Sequence, residues 1–213
     1  MTDRPIILLG AGNQGRVALD LLRDIEVPVA GFLDDTRAPG DRVGGQPILG
    51  PFADALTPRL RNGHQFLLTF GAMEKRLEWG RALLQSGAVL YRLVHPSSLV
   101  GDGVRLGEGV FVSAQCALFA GAEIGDFSMI NNHCSIGHDC RVGAANLFGP
   151  AVHLAGTIAT GQCCKFGTGA LVQPDLTIGE RVRVAGGALV HEPVEDGMTV
   201  IGNPGRSLRL PDR

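Results

Sequence analysis

His138 is followed directly by Asp139, within Ile136-Gly137-His138-Asp139-Cys140, and Gly156 lies 18 residues further on. An imidazole beside a carboxylate is the pair a general base needs, because the carboxylate fixes the tautomer and raises the basicity of the far nitrogen. A glycine amide close to that nitrogen could donate to a developing oxyanion, and the two together suit acyl transfer. A histidine on a surface turn would present the same residues, so the reading depends on whether the fold brings 138 and 156 together. His133 and His138 are five apart, which raises a metal site, but catalytic zinc wants three protein ligands. His153 is 15 residues from His138 rather than 18, out of stacking register, and no metal is expected.

A second constellation opens the chain. The apolar run Pro5 to Leu9 leads into Gly10-Ala11-Gly12-Asn13-Gln14-Gly15, and a helix with Val17, Ala18, Leu21 and Leu22 on one face should follow. A strand over Val27–Leu33 then closes on Asp34-Asp35. A glycine loop between strand and helix, with an acidic residue about 20 positions later, is the dinucleotide fingerprint: backbone amides approach a phosphate and the carboxylate takes a ribose. A full dinucleotide site needs about six strands. Two more strands, His64–Phe70 and Ala88–Val94, make four, with a short helix near Phe52–Leu60 and a longer one over Met73–Leu84. That count favours a truncated Rossmann-like domain that binds a nucleotide.

The element that must position His138 is a repeat. Stepping by six from Val100 gives Leu106, Val112, Leu118, Ile124, Ile130, Ile136, Val142, Phe148, Leu154, Thr160, Phe166, Val172, Ile178, Val184 and Val190, all apolar except Thr160. Neither a helix period of 3.6 nor a strand period of two produces this. Hexapeptide self-similarity marks a parallel β-helix with three hexads to a coil, so residues 18 apart stack about 4.8 Å from one another. His138, two past a marker, then sits off the inward position with Gly156 one coil away on the same edge. His95-Pro96 hands the chain over. The expected architecture is an α/β Rossmann-like domain over 1–95 followed by an all-β left-handed parallel β-helix over 96–213.

Composition narrows the function. The net charge of the 213 residues is −2, which gives no electrostatic case for nucleic acid or an anionic membrane. No apolar stretch is long enough to span a bilayer, and the first residues are not a signal peptide. Cys116, Cys134, Cys140 and Cys164 each fall four past a marker and are expected to fill the prism as reduced thiols, consistent with a cytoplasmic protein.

The combination of Gly10–Gly15, Phe32-Leu33-Asp34-Asp35, Thr69-Phe70-Gly71 with Arg76, His95-Pro96, Ile136–Asp139, Gly156 and Gly202-Asn203-Pro204-Gly205-Arg206 resembles the bacterial sugar acetyltransferases of the PglD/NeuD type over essentially the whole chain. The resemblance implies a homotrimer with acetyl-CoA in the groove between two prisms and a nucleotide-linked aminosugar on the N-terminal domain. It implies His138 as general base with Asp139 beside it, and Gly156 as donor to the thioester carbonyl. It places Gly202, Asn203, Pro204 and Arg206 near the adenine end of CoA. It assigns the nucleotide sugar to Gly10, Gly12, Asn13, Gln14, Gly15, Asp34, Asp35, Thr69, Phe70, Gly71 and Arg76. Two positions depart from that family's pattern: Leu147 stands where members often carry a second histidine, and Gln14 where the first loop commonly has one.

The implied reaction is direct acetyl transfer from acetyl-CoA to the 4-amino group of a nucleotide-linked 4-amino-4,6-dideoxyhexose. O-acetylation of sialic acid or a related sugar is the alternative within enzymes. A non-catalytic β-helix scaffold that senses a nucleotide is the alternative outside them, and an NAD-dependent oxidoreductase is weaker still.

Overall fold

The computed structural model describes residues 4–209. The chain divides into two compact units, the first ending at Leu93 and the second beginning at Val94. In the first unit, β1 (Ile6–Leu9), β2 (Val29–Leu33), β3 (Arg42–Val43), β4 (Gln46–Gly50), β5 (Gln65–Leu68) and β6 (Val89–Leu90) form one sheet in the order β3-β4-β2-β1-β5-β6. All neighbours are parallel except β3 and β4. Ile6 to Leu9 are fully buried, as a central strand covered on both faces requires.

The sheet is larger than the four strands expected. The Gly/Pro-rich passage holds a hairpin whose two-residue loop, Gly44-Gly45, has φ of 54° and 82°, the doubly left-handed turn that only small residues enter readily. The fourth expected strand is shorter, because pairing in β6 stops at Leu90 and Leu93–Val94 joins a different sheet. The helix near Phe52 is a 3-10 turn over Phe52–Leu56 followed by α2 (Pro58–Arg61). Helices α1 (Asn13–Asp24) and α3 (Met73–Gln85) cover the sheet. The buried face of α1 is Gly15, Ala18, Leu19 and Leu22; Val17, placed inward by sequence, is exposed.

The second unit is a parallel β-helix. Two-residue strands stack in three sheets with an 18-residue register from Leu99 to Val190, as in Ala117–Leu118 on Ser135–Ile136 on His153–Leu154 on Leu171–Val172, and the last parallel pairing, Val184 with Val200, shortens it to 16. From Val112 onward every marker to Val190 is buried; Val100, on the terminal strand of its sheet, is exposed. Each turn is made by a left-handed residue three past the marker, including Phe127, His133, Asp139, Ala145, Ala151, Thr157 and Asp175 at φ between 56° and 61° apart from Ala145 at 55°. The cysteines four past a marker are buried and unpaired. Burial pushes the Cys140 thiol up and that of Cys164 up to about 11. The hydrogen bond with Cys134 pushes Cys116 down, but that thiol lies inside the prism.

Candidate functional site

Two places carry chemistry, one in each unit. In the first, the chain order reverses at β1, between β2 and β5, and a cavity of about 450 Å³ opens there at the carboxyl ends of the strands, where open parallel sheets bind ligands. Gly10, Gly12, Asn13, Gln14, Asp34, Asp35, Thr69, Phe70 and Gly71 line it, together with Thr36, Phe52, Ala72 and Lys75. Helices α1 and α3 both begin at this cavity, after Gly12 and Ala72, without a side-chain cap, so their first-turn amides remain available to an anion.

Several of these side chains build the cavity wall. Asp34 Oδ2 accepts the Ala11 amide at 2.7 Å, while Oδ1 accepts the Thr36 amide at 2.8 Å and the Thr36 hydroxyl at 2.6 Å. Burial alone would raise the Asp34 carboxyl, but these hydrogen bonds, with the Arg37 charge, outweigh it and hold the group below the usual carboxylate range. Thr69 Oγ1 donates to the carbonyls of Leu9 and Gly10, both at 2.8 Å, pinning the glycine loop to the end of β5. Asp35 accepts the Phe52 amide at 2.9 Å and pairs with Lys75 at 3.2 Å. Lys75 Nζ also lies 4.8 Å from the centre of the Phe52 ring, and that ring stacks on Phe70 at 5.2 Å.

Two residues assigned to this site lie behind it. A Cβ on Gly15 would fall 2.0 Å from the Gly10 carbonyl oxygen, so Gly15 is needed for helix and loop to pack and does not line the cavity. Arg76 is fully buried and Nη1 donates to the Phe70 carbonyl at 2.8 Å, supporting the loop after β5 from below. Thr36, Phe52, Ala72 and Lys75 were not anticipated. The hairpin that brings Phe52 beside β2 was unread, and Lys75 lies one turn beyond the Thr69–Gly71 motif.

In the β-helix, residues 138 and 156 meet. His138 Nδ1 lies 2.9 Å from Asp139 Oδ2, with the two side chains 64% and 69% exposed. With Nδ1 donating to the carboxylate, Nε2 keeps its lone pair. An ideal Cβ on Gly156 would lie 2.3 Å from Nε2, so the imidazole occupies the space a side chain would need. The inter-coil ladder runs from the Thr157 amide to the His138 carbonyl at 2.8 Å and from the Asp175 amide to the Gly156 carbonyl at 3.1 Å; the Gly156 N–H takes no part in it. A base and a free amide donor thus share one corner. Ser135 pairs with His153, one coil on, at 2.8 Å. Among the described residues no group of three His, Cys, Asp or Glu is placed to hold a metal ion.

Gly202, Asn203, Pro204 and Arg206 gather in and beside the turn of an antiparallel hairpin, Thr199–Ile201 with Arg206–Leu208. Pro204 and Arg206 line a cavity of about 440 Å³ with Val190, His191 and Glu192, while Gly202 and Asn203 form the turn itself. Val190 lies two coils beyond Leu154, so the residues grouped for acetyl-CoA fall at two places about 10 Å apart along the axis.

No family model matches the sequence. GDP-perosamine N-acetyltransferase of Escherichia coli O157:H7 is 26% identical over 213 residues, spanning 95% of each chain. The perosamine N-acetyltransferase of Caulobacter crescentus, solved with a histidine replaced by asparagine and with CoA and GDP-perosamine bound, is 34% identical over 96% of both chains with a TM-score of 0.90. The acetyltransferase domain of PglB from Neisseria gonorrhoeae, in complex with acetyl coenzyme A, superposes with a TM-score of 0.88 at 28% identity, spanning 97% of this chain and 100% of that one. Near-complete coverage by relatives of this kind, together with the six-residue register and the histidine corner, means that the chain belongs to the hexapeptide-repeat acetyltransferase family.

Proposed function

We propose that the protein transfers an acetyl group from acetyl-CoA to the 4-amino group of a nucleotide-linked 4-amino-4,6-dideoxyhexose, with a GDP-linked sugar such as GDP-perosamine as the first substrate to try. The observation that carries this reading is the His138–Asp139 pair with Nε2 against Gly156. Acetyl-CoA supplies an activated acyl carbon. His138 Nε2 accepts the proton that the amine loses as its lone pair forms the C–N bond. The Gly156 amide donates to the carbonyl oxygen as charge gathers on it, and the C–S bond breaks as the imidazolium passes its proton to the leaving sulfur, which departs as the thiol of CoA. Asp139 stabilises the imidazolium formed in between. Base catalysis of this kind contributes about 10²–10⁴-fold in rate, and an amide donor about 10²–10³-fold.

The reading includes a Rossmann-like nucleotide-sugar domain over 1–95 and a left-handed β-helix over 96–213. It also includes a homotrimer and a cytoplasmic location. Five cysteines without a disulfide support the last. The trimer is supported by Leu99, Phe119 and Leu171, large apolar residues exposed on or beside one sheet of the prism. Among the described residues no helix is long and apolar enough to cross a membrane.

The deciding experiment is thiol release from acetyl-CoA with GDP-, UDP- and dTDP-linked 4-amino-6-deoxysugars and free sialic acid as acceptors. Turnover with a nucleotide aminosugar is expected. Turnover with free sialic acid alone would replace N-acetylation by O-acetylation, and silence from a folded protein that binds nucleotide would leave the scaffold reading.

A further inference from the structure

We infer that Lys75 and Asp35 form a displaceable ion pair through which the cavity of the first unit selects a nucleoside diphosphate over a bare diphosphate; the inference rests on the nucleotide-sugar reading above. A diphosphate entering this cavity meets two carboxylates, Asp34 and Asp35, and Lys75 is the one lining residue with a positive charge. The adjacent Arg76 is buried and directed at the Phe70 carbonyl. The uncapped starts of α1 and α3 offer partial charges only. Arg37 acts on Asp34 from outside the lining, so Lys75 is the lining side chain that brings a full positive charge to the phosphates.

In the structure Lys75 is engaged elsewhere, with Nζ 3.2 Å from Asp35 Oδ2 and 4.8 Å above the Phe52 ring. Its side chain is 46% exposed, and an ion pair in that setting is weak and screened. Phosphate oxygens outcompete it, because they accept charge-assisted hydrogen bonds and carry more charge.

The consequence of that exchange is the selectivity. Asp35 cannot follow Lys75, because its Oδ1 is held by the Phe52 amide at 2.9 Å. Its Oδ2 is left without a countercharge. Asp34 gives no relief, since its two oxygens already serve Ala11 and Thr36. The Phe52 ring loses its cation in the same movement. A bare diphosphate leaves the Asp35 carboxylate, 39% exposed, to water and in repulsion with the phosphates, and leaves the phenyl face uncovered. A nucleoside diphosphate brings hydroxyl and N–H donors for the carboxylate and a flat ring for the phenyl face.

Calorimetric titration of the full-length protein with GDP and with inorganic pyrophosphate tests this. Lys75→Met should weaken both ligands at least tenfold and flatten the salt dependence of binding, with Lys75→Arg restoring most of the loss. Asp35→Asn should lower the preference for GDP over pyrophosphate at least tenfold, by letting pyrophosphate bind more tightly. An Asp35→Asn protein that shifts both ligands equally would overturn the inference, as would a folded Lys75→Met protein with normal GDP affinity. Asp35→Ser provides the same comparison if the asparagine variant unfolds. Wild-type protein that binds none of GDP, UDP and dTDP would instead remove the nucleotide reading, and the inference with it.

Discussion

A methyl group at position 156 would sit 2.3 Å from His138 Nε2, far inside van der Waals contact, so Gly156→Ala must displace the imidazole from its corner. Because the clash is with an exposed side chain, the coil can keep its packing while the base moves. Gly156→Ala should cost about 10²-fold or more in kcat, the scale of losing an oriented base, with little change in melting temperature and unchanged GDP binding. Steady-state kinetics beside a thermal melt checks this; normal turnover would remove Gly156 from the site. Asp34 gives a prediction in pH. Its folded-state pKa lies below the ordinary value, so its contribution to stability is present above the unfolded pKa, near 4, and is lost as pH falls through the folded one. Wild type should therefore be more stable than Asp34→Asn at neutral pH, with the gap closing below about pH 4. Denaturant titrations at pH 7 and pH 3 measure it, and a gap independent of pH would contradict the assignment.

At the scale of elements, the hexads and the glycine loop were legible because each repeats a local requirement: an inward apolar residue, or a backbone that must approach closely. What escaped was set by contacts remote in sequence. Thr160, the one polar marker, accepts Asn146 Nδ2 at 2.8 Å, and Asn146 also donates to the Gly161 carbonyl and accepts the Cys164 amide at 2.6 Å. Ser128 Oγ joins by accepting the Asn146 amide. A break in the repeat is therefore a closed polar network inside the prism. Asn146→Ala should destabilise the β-helix by about 1–3 kcal/mol, the cost of orphaned buried groups, seen as a lower denaturant midpoint. The β3–β4 hairpin carried a sequence signal in Gly44-Gly45, hidden by the polar residues around it. Gly15 and Arg76 show the reverse: both belong to motifs read as binding residues, and neither lines the cavity. Motif membership does not separate a residue that touches a ligand from one that holds the wall in place.

At the scale of the molecule, the exposed Leu99, Phe119 and Leu171 bear on assembly. In the proposed homotrimer they become buried, so Phe119→Asp should shift the protein toward smaller species in light scattering. A variant that stays trimeric would move the interface to another face.

The 18-residue register, held from Leu99 to Val190, makes the prism a ruler with fixed graduations. The histidine corner and the hairpin cavity are separated by a whole number of coils, so evolution can alter the reach between them only in steps of about 4.8 Å. Duplicating one coil, residues 157–174, should give a folded protein whose strands all still pair, yet whose two proposed acetyl-CoA contacts stand one graduation too far apart. Such a protein should melt cooperatively and lose affinity for CoA. An insertion of three residues would instead throw every later marker out of the six-residue register, turning apolar side chains outward, and should not fold cooperatively.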